Sequence, residues 1–494
     1  MKNIIFRISA LVFVSVFIFF GLLVNTSCVK EEDYLETSGS LAKLSFSVDT
    51  LKFDTVFTTL GSTTKQVKVY NHNDKPIMFS SVRLKSGAAS RFRINVDGDT
   101  ALIAHNVSIE AHDSMFIFVR VNVNPNSESS PFLIEDAIEF NVKDASKSLP
   151  LTAFGRNAIY HYPNYSFESG GEVYKYSVID CSKDWDASKP HIIFGYAVVD
   201  EDSVLNIKEG AEIYFSNDAC LWVYDGGTLN ISGSVLNPVL LTSIRKDEHY
   251  KELPGQWQGI WLSSGSKDNV ISGAVIENAS VGVLVDTVAN ANPTLVINNT
   301  IIKNMSLAGL YGQGAVIEGD NLLIYNCRMA TVALTLGGRY VFSNSTFANF
   351  WNYDSRKSAS VILNNWYQDI TGHIQLRPLV EASFNNCIIY GSLAEEISLD
   401  KNDGATFNYS FNYCLLRTKN DFVGDLIINK DPLFVNKDES NYHLLLESPA
   451  IGAGSSVYVQ NPYDLDNVIR QTPPTIGAYE YVEEMEENQK YRRR

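Results

Sequence analysis

A six-residue phrase recurs along the second half of the chain: a large apolar residue, any residue, usually Asn, a mostly small residue, any residue and usually another apolar one. It reads INNTII at Ile297, IYNCRM at Ile324, FSNSTF at Phe342, LNNWYQ at Leu363, FNNCII at Phe384 and FNYCLL at Phe411, with a Gly-for-Asn version, ISGAVI, at Ile271. Successive copies start 26, 27, 18, 21, 21 and 27 residues apart. A repeat of that length with strand-like content specifies a solenoid of short strands. Asn and Gly tolerate a left-handed backbone, so a bend is expected at the third place. Places four and six then share parity and point inward. Stacking would put Asn299, Asn326, Asn344, Asn365 and Asn386 in one hydrogen-bonded column. Trp366 stands at an inward place that is otherwise small, so its rung must bulge or change register.

These residues resemble the right-handed parallel β-helix, the pectate-lyase-like fold. Upstream, VLNIKEGAEIYF, CLWVYDGGTLNISGS and PVLLTSI resemble opening rungs from about His191. Downstream, DPLF at Asp431, NYHLLLESPAIGAG at Asn441 and TIGAYEY at Thr475 resemble the closing segment of bacterial β-helix surface proteins. The resemblance implies an all-β coil over residues 191–430 with C-terminal rungs and a closing segment over 431–482. It does not imply one activity, because this fold hosts lyases, hydrolases, adhesins and stalks.

The amino terminus reads as an export signal. Lys2 and Arg7 precede an apolar run from Ile8 to Val24, and NTSC ends at Cys28. This resembles a bacterial lipobox, with Asn25 where the strict pattern has Leu. The resemblance implies cleavage after residue 27, lipid on Cys28 and an anchor in the outer membrane, with the acidic run KEED resembling a tag for the cell exterior. Residues 28–43 are expected to form a tether and 483–494 a charged tail.

Between tether and coil, residues 44–156 alternate apolar and polar residues in strands such as KLSFSV, KQVKVYN and AIEFNV, separated by turns such as NHNDKP. They resemble an Ig-like β-sandwich without its disulfide, expected to lift the coil from the membrane. Residues 157–190 read as a connector and N-terminal cap. The net charge of −16 speaks against nucleic acid and anionic lipid surfaces as partners. Protein partners stay open.

No CxxC or Cys/His spacing suggests a metal, and no cofactor is implied. Cys327, Cys387 and Cys414 occupy the small inward place and read as core, Cys387 and Cys414 on neighbouring rungs. Lyases of the resembled fold use an Arg or Lys base, and its hydrolases use clustered acids. The corresponding candidates here are Lys303, Arg328, His373 and Arg377, with Arg339, Glu318 and Asp320 beside them. Arg328 is at an outward place, and Glu318 and Asp320 are expected to flank Gly319 in a turn. Trp257, Trp261, Trp351 and Trp366 are candidates for stacking on sugar rings. Function is expected where the phrase fails, in the region Trp351 to Tyr367 and the spacers Asp286 to Thr294 and Ala308 to Asp320. The expected function is a surface-anchored β-helix that binds or organises glycans without turnover. A polysaccharide lyase or glycoside hydrolase, and a protein-binding stalk, are the alternatives.

Overall fold

A computed structural model describes residues 34–125, 131–143, 145–247, 249–286 and 293–483. The expected signal segment, Cys28, most of the expected Asp286–Thr294 spacer and nearly all of the expected charged tail lie outside them. The chain divides into two compact units, one ending at Arg156 and one starting at Asn157.

The first unit is two sheets around one core. Strands Leu44–Phe46, Lys65–Asn71, Ser114–Val121 and Phe92–Val96 form an antiparallel four-stranded sheet. A five-stranded sheet faces it, with Leu51–Phe57 parallel to Ala145–Arg156 and its remaining pairs antiparallel. Alternation drives the packing: in Lys65–Asn71, Val67 and Val69 are buried while Gln66 is exposed. Residues expected as the end of the tether are folded instead. The helix Ser38–Ala42 buries Leu41 in this core, and Leu35 bridges to Ile77.

The second unit is a parallel coil. Each rung runs through three short strands, one on a ten-stranded sheet and two on a seventeen-stranded sheet folded at a bend, counted among the described residues. The coil begins earlier than expected, because Ile159–His161 already pairs in parallel with His191–Ile193. His161 Nε2 and His191 Nδ1 lie 2.9 Å apart there, and Trp185 stacks on His191 with ring centroids 4.1 Å apart. Burial pushes the imidazoles down, to about 4 at His161 and about 3 at His191, where the nearby Asp186 carboxylate only partly opposes it. An unfolded histidine takes up a proton near 6.5, so these residues destabilise this end as pH falls from 6.5 towards 3–4. Hydrogen exchange, corrected for intrinsic rates, is expected to accelerate at residues 159–193 between pH 7 and pH 5 while the central rungs hold. Uniform protection across the coil would contradict this.

Register corrects the single Asn column. Ile271 aligns with Ile297, Gly319, Phe342, Phe384 and Phe411 in turn. The first bend therefore carries Gly273, Asn299, Asn321, Asn344, Asn386 and Tyr413, all with positive φ. Asn321 donates to Asn299 and Asn386 to Asn344, each at 3.0 Å. Asn326 belongs to a second ladder at the next bend, donating to Asn304, which donates to Asn278. IYNCRM mimics the phrase five residues late, because the true copy there, GDNLLI, opens with Gly319 rather than a large apolar residue. Asn365 is in neither ladder and donates to the carbonyls of Asn402 and Ala405.

The inward places are filled as expected, except at Trp366. Thr300, Cys327, Ser345, Cys387 and Cys414 are fully buried. Cys387 and Cys414 are free thiols on adjacent rungs, the Cys387 amide donating to Cys414 Sγ at 3.4 Å. Cys327 stacks instead beside Met305, beyond the second bend. Trp366 lies in an antiparallel hairpin, Trp366–Gln368 with Ile374–Leu376, that leaves the coil. The rung from Phe342 to Phe384 spans 42 residues because it carries both this hairpin and the excursion 350–360. By contrast, Ala308 to Asp320 is no spacer: Ala308–Gln313 is a coil strand, and Glu318 to Asp320 lie inside the strand Val316–Cys327.

The closing segment adds no rungs. It folds along the outside of the second half of the bent sheet, with Tyr442, Leu465, Ala478 and Tyr479 against Leu323 and Tyr325, and Leu444, Ala450 and Ile476 against Ile388 and Leu415. The Asn ladder ties it down, Asn321, Asn344 and Asn386 donating to the carbonyls of Tyr463, Tyr458 and Ser455.

Candidate functional site

Beyond the edge of the closing segment the outer face of the bent sheet is open, and a cleft of about 520 Å³ forms there. Its floor is the end of two neighbouring strands, Lys303 with Asn304 and Tyr325 with Asn326. One wall is Glu252, another is Phe350, Asn352 and Tyr353 from the excursion, and the third is Lys437 to Ser440 with Tyr442 from the closing segment. Tyr353 Oη donates to the Glu252 carbonyl at 2.9 Å and joins two walls. Tyr353 is 47% exposed. A second cavity of about 560 Å³ shares Phe350, Lys437 and Asp438 with the first and reaches Tyr390 and Arg417.

The electrostatics of the floor are set by one outward column of the bent sheet, in which Thr242, Glu277, Lys303 and Tyr325 stack on successive rungs. Lys303 Nζ lies 3.0 Å from Glu277, and Lys246 Nζ lies 3.5 Å away on the same carboxylate. Burial alone would raise the Glu277 carboxyl, but the two ammonium groups and the Thr242 hydroxyl hold it below the usual range. Burial likewise works against the Lys303 ammonium, and Tyr325, Glu277 and Glu252 outweigh it and push it above the usual lysine range. Lys303 is therefore protonated at neutral pH and has no free pair with which to act as a general base.

Arg328 is near this cleft but works on its wall. Its Nε contacts Asp354 Oδ2 at 2.9 Å, and Trp351 Nε1 donates to Asp354 Oδ1 at 2.7 Å. Trp351 is buried and packs against Tyr353, centroids 4.9 Å apart. Arg328 and Trp351 thus position the exposed Tyr353 ring.

The other candidates do not converge here. His373, Arg377 and Trp366 belong to the hairpin; His373 meets Thr371, Arg377 lies 5.6 Å over the Tyr367 ring, and Trp366 Nε1 donates to Asp400. Trp257 is 1% exposed and stacks inside the coil on Phe215 at 3.8 Å, so no sugar can reach it. Its partner in the sequence, Trp261, faces outward on the ten-stranded sheet and stacks on Trp222 at 4.9 Å, which leaves it one ring face covered. Arg339 bridges Glu318 and Glu381 at 3.1 and 3.2 Å in an outward ladder across three rungs. Asp320 is buried under Asn344. Among the described residues no group of three or more His, Cys, Asp or Glu side chains is arranged to hold a metal ion.

Sequence reasoning missed Glu252, Tyr353 and the turn Lys437–Glu439. Only the third dimension brings them together, since Tyr353 and Glu252 are about a hundred residues apart. The one signal available was irregularity, which pointed to the excursion after Phe350.

A family model described as a right handed beta helix region matches residues 258–409. With the parallel register above, the coil is a right-handed parallel β-helix in an all-β chain. No curated protein matches. Among solved structures, the catalytic unit of a thermostable GH87 α-1,3-glucanase from Streptomyces thermodiastaticus aligns at 11% identity and a TM-score of 0.22, over 71% of this chain and 79% of that one. A family 123 glycoside hydrolase from Clostridium perfringens aligns at 10% identity and a TM-score of 0.18, over 25% of this chain and 28% of its own. A Porphyromonas gingivalis protein of unknown function aligns at 13% and 0.17, over 28% of this chain and 60% of its own. This chain thus spans less than two thirds of the last two, and TM-scores this low carry no argument about activity.

Proposed function

We propose that this chain is a cell-surface lipoprotein whose β-helix binds glycans at the Lys303–Tyr353 cleft without turning them over, held away from the membrane by an Ig-like sandwich. The observation that carries the reading is the make-up of the cleft. Amides from Asn326 and Asn352 and nearby carboxylates supply hydrogen-bond partners for hydroxyl groups, and the exposed Tyr353 supplies a flat apolar ring for a pyranose. Such a mixture suits a ligand that is polar at its rim and apolar on its ring faces. The protonated Lys303 supports binding over lyase chemistry.

The test is to incubate the purified full chain in detergent with a polysaccharide panel, following retention and the appearance of unsaturated or reducing-end products. Retention without products is the expected result, and Tyr353→Ala is expected to weaken it about 2- to 13-fold, the worth of one ring contact of ~0.5–1.5 kcal/mol. Products would move the reading to the hydrolase or lyase class. Neither retention nor products would move it to a protein-binding stalk.

A further inference from the structure

We infer that the second cavity takes an anionic group of the glycan, a carboxylate or a sulfate ester, on Arg417, an inference that rests on the glycan-binding reading above. The two cavities lie along one outward column of the bent sheet. From Lys303 and Tyr325, on the floor of the first, the column runs through Ala348 to Tyr390 and then Arg417, in the second. Four rung spacings separate its ends, about 19 Å. Alternation fixes where Arg417 points. Leu416 enters the coil core and Leu415 packs under the closing segment, so Arg417 leaves on the outer face, where the cavity lies.

The guanidinium is only partly used there. Its Nε donates to the Leu393 carbonyl at 2.8 Å and its Nη1 to Tyr390 Oη at 2.6 Å, which holds it over the Tyr390 ring. Of the five N–H groups of a guanidinium, both on Nη2 and one on Nη1 therefore have no partner among the described residues. Nor does Arg417 form an ion pair among them: Glu396 is bound to Arg356, and Glu395 to Thr418 and Asn420. A half-buried guanidinium loses hydration that no carboxylate offsets here, and an incoming anion restores the balance with charge-assisted hydrogen bonds. Asp431 and Asp438 also line the cavity, but both are exposed and screened by water, and Asp431 accepts from the Leu433 amide at 2.9 Å. Lys437 Nζ, 5.1 Å over the Phe350 ring, adds a second cation. At about 560 Å³ the cavity is far larger than a free anion needs, and Phe350 and Phe434 line it with apolar ring surface suited to a sugar.

The test is calorimetry on the full chain in detergent at 0.15 M salt, where a Debye length of about 8 Å screens the chain's overall charge of −16. The probes are methyl glucoside, methyl glucuronide, methyl glucoside 6-sulfate and inorganic sulfate. Both charged glycosides are expected to bind about tenfold more tightly than methyl glucoside, and inorganic sulfate more weakly than either. Arg417→Gln is expected to bring the three glycosides within about twofold of one another, while Arg417→Lys, which keeps the charge without the fork, retains a preference of about threefold. A melting curve matching the parent shows that a variant is folded. Equal or undetectable binding of charged and neutral glycosides would overturn the inference and leave the glycan reading to the polysaccharide panel. A charge preference that survives in folded Arg417→Gln would remove it from Arg417. Inorganic sulfate binding as tightly as the sugar sulfate would mean that the ring contributes nothing, and would end the case for a glycan subsite. A panel in which no polysaccharide is retained would overturn the glycan reading itself.

Discussion

Arg356→Ala is expected to destabilise the coil by about 3–5 kcal/mol, read as a shift in the urea unfolding midpoint, and to weaken glycan retention with it. Arg356 and Glu396 are 1% and 0% exposed, and the guanidinium makes two bonds to the carboxylate, at 2.5 and 2.8 Å. Its Nη atoms also reach the carbonyls of Asn349 and Ser358, at the two ends of the excursion that forms a wall of the cleft. Removing the cation leaves a buried carboxylate without its counter-charge, and the excursion loses its clamp. Replacing both partners, Arg356→Met with Glu396→Leu, is expected to recover part of the loss, since no lone charge remains. It cannot recover all of it, because the amides of Ser360 and Leu393 also donate to Glu396. An Arg356→Ala protein that unfolds at the parent's urea concentration would refute this account of the clamp.

The second large effect is expected at the Asn ladder. Asn344 has φ of 48°, is fully buried, donates to Asp320 at 2.8 Å and to the Tyr458 carbonyl, and accepts from Asn386. Asn344→Ala forfeits two things at once. Partners left unsatisfied cost about 1–3 kcal/mol, and a left-handed alanine costs a further ~1–2 kcal/mol. Asn344→Gly forfeits the bonds but keeps the backbone relaxed, so it should melt above the alanine variant and below the parent. Equal melting temperatures for the two variants would mean that the bend demands no particular conformation, contrary to the ladder's geometry.

How much of this could be read from the chain alone follows from what each signal encodes. Periodicity encodes local geometry, so the solenoid, the bends and the buried small residues were legible. Register is a property of pairs of rungs. The phrase at Ile324 therefore counted as a copy of the first bend, although its Asn326 marks the second. LNNWYQ counted as a rung, although Asn365 and Trp366 leave the stack for a hairpin. Trp257 and Trp261 show the same limit on a smaller scale: four residues apart in one motif, one lies in the core and the other on the surface. Of the site, the sequence pattern marks Lys303 and Trp351, and Arg328 stands near it in another role. Glu252 and the Lys437–Glu439 turn are not marked, because neither carries a pattern and both owe their place to the fold around the coil.

The closing segment has a consequence for the order in which the molecule assembles. Its anchors span long stretches of chain: Asn321 bonds to Tyr463 across 142 residues, and Asn344 to Tyr458 across 114. The rungs can stack one upon the next as the chain emerges, but the outer stripe of Leu323, Tyr325, Ile388 and Leu415 stays bare until the last fifty or so residues arrive. A chain cut short before Asn441 would thus keep its inner coil and present that stripe to its neighbours, as a sticky intermediate whose cure is encoded at the far end of the same polypeptide.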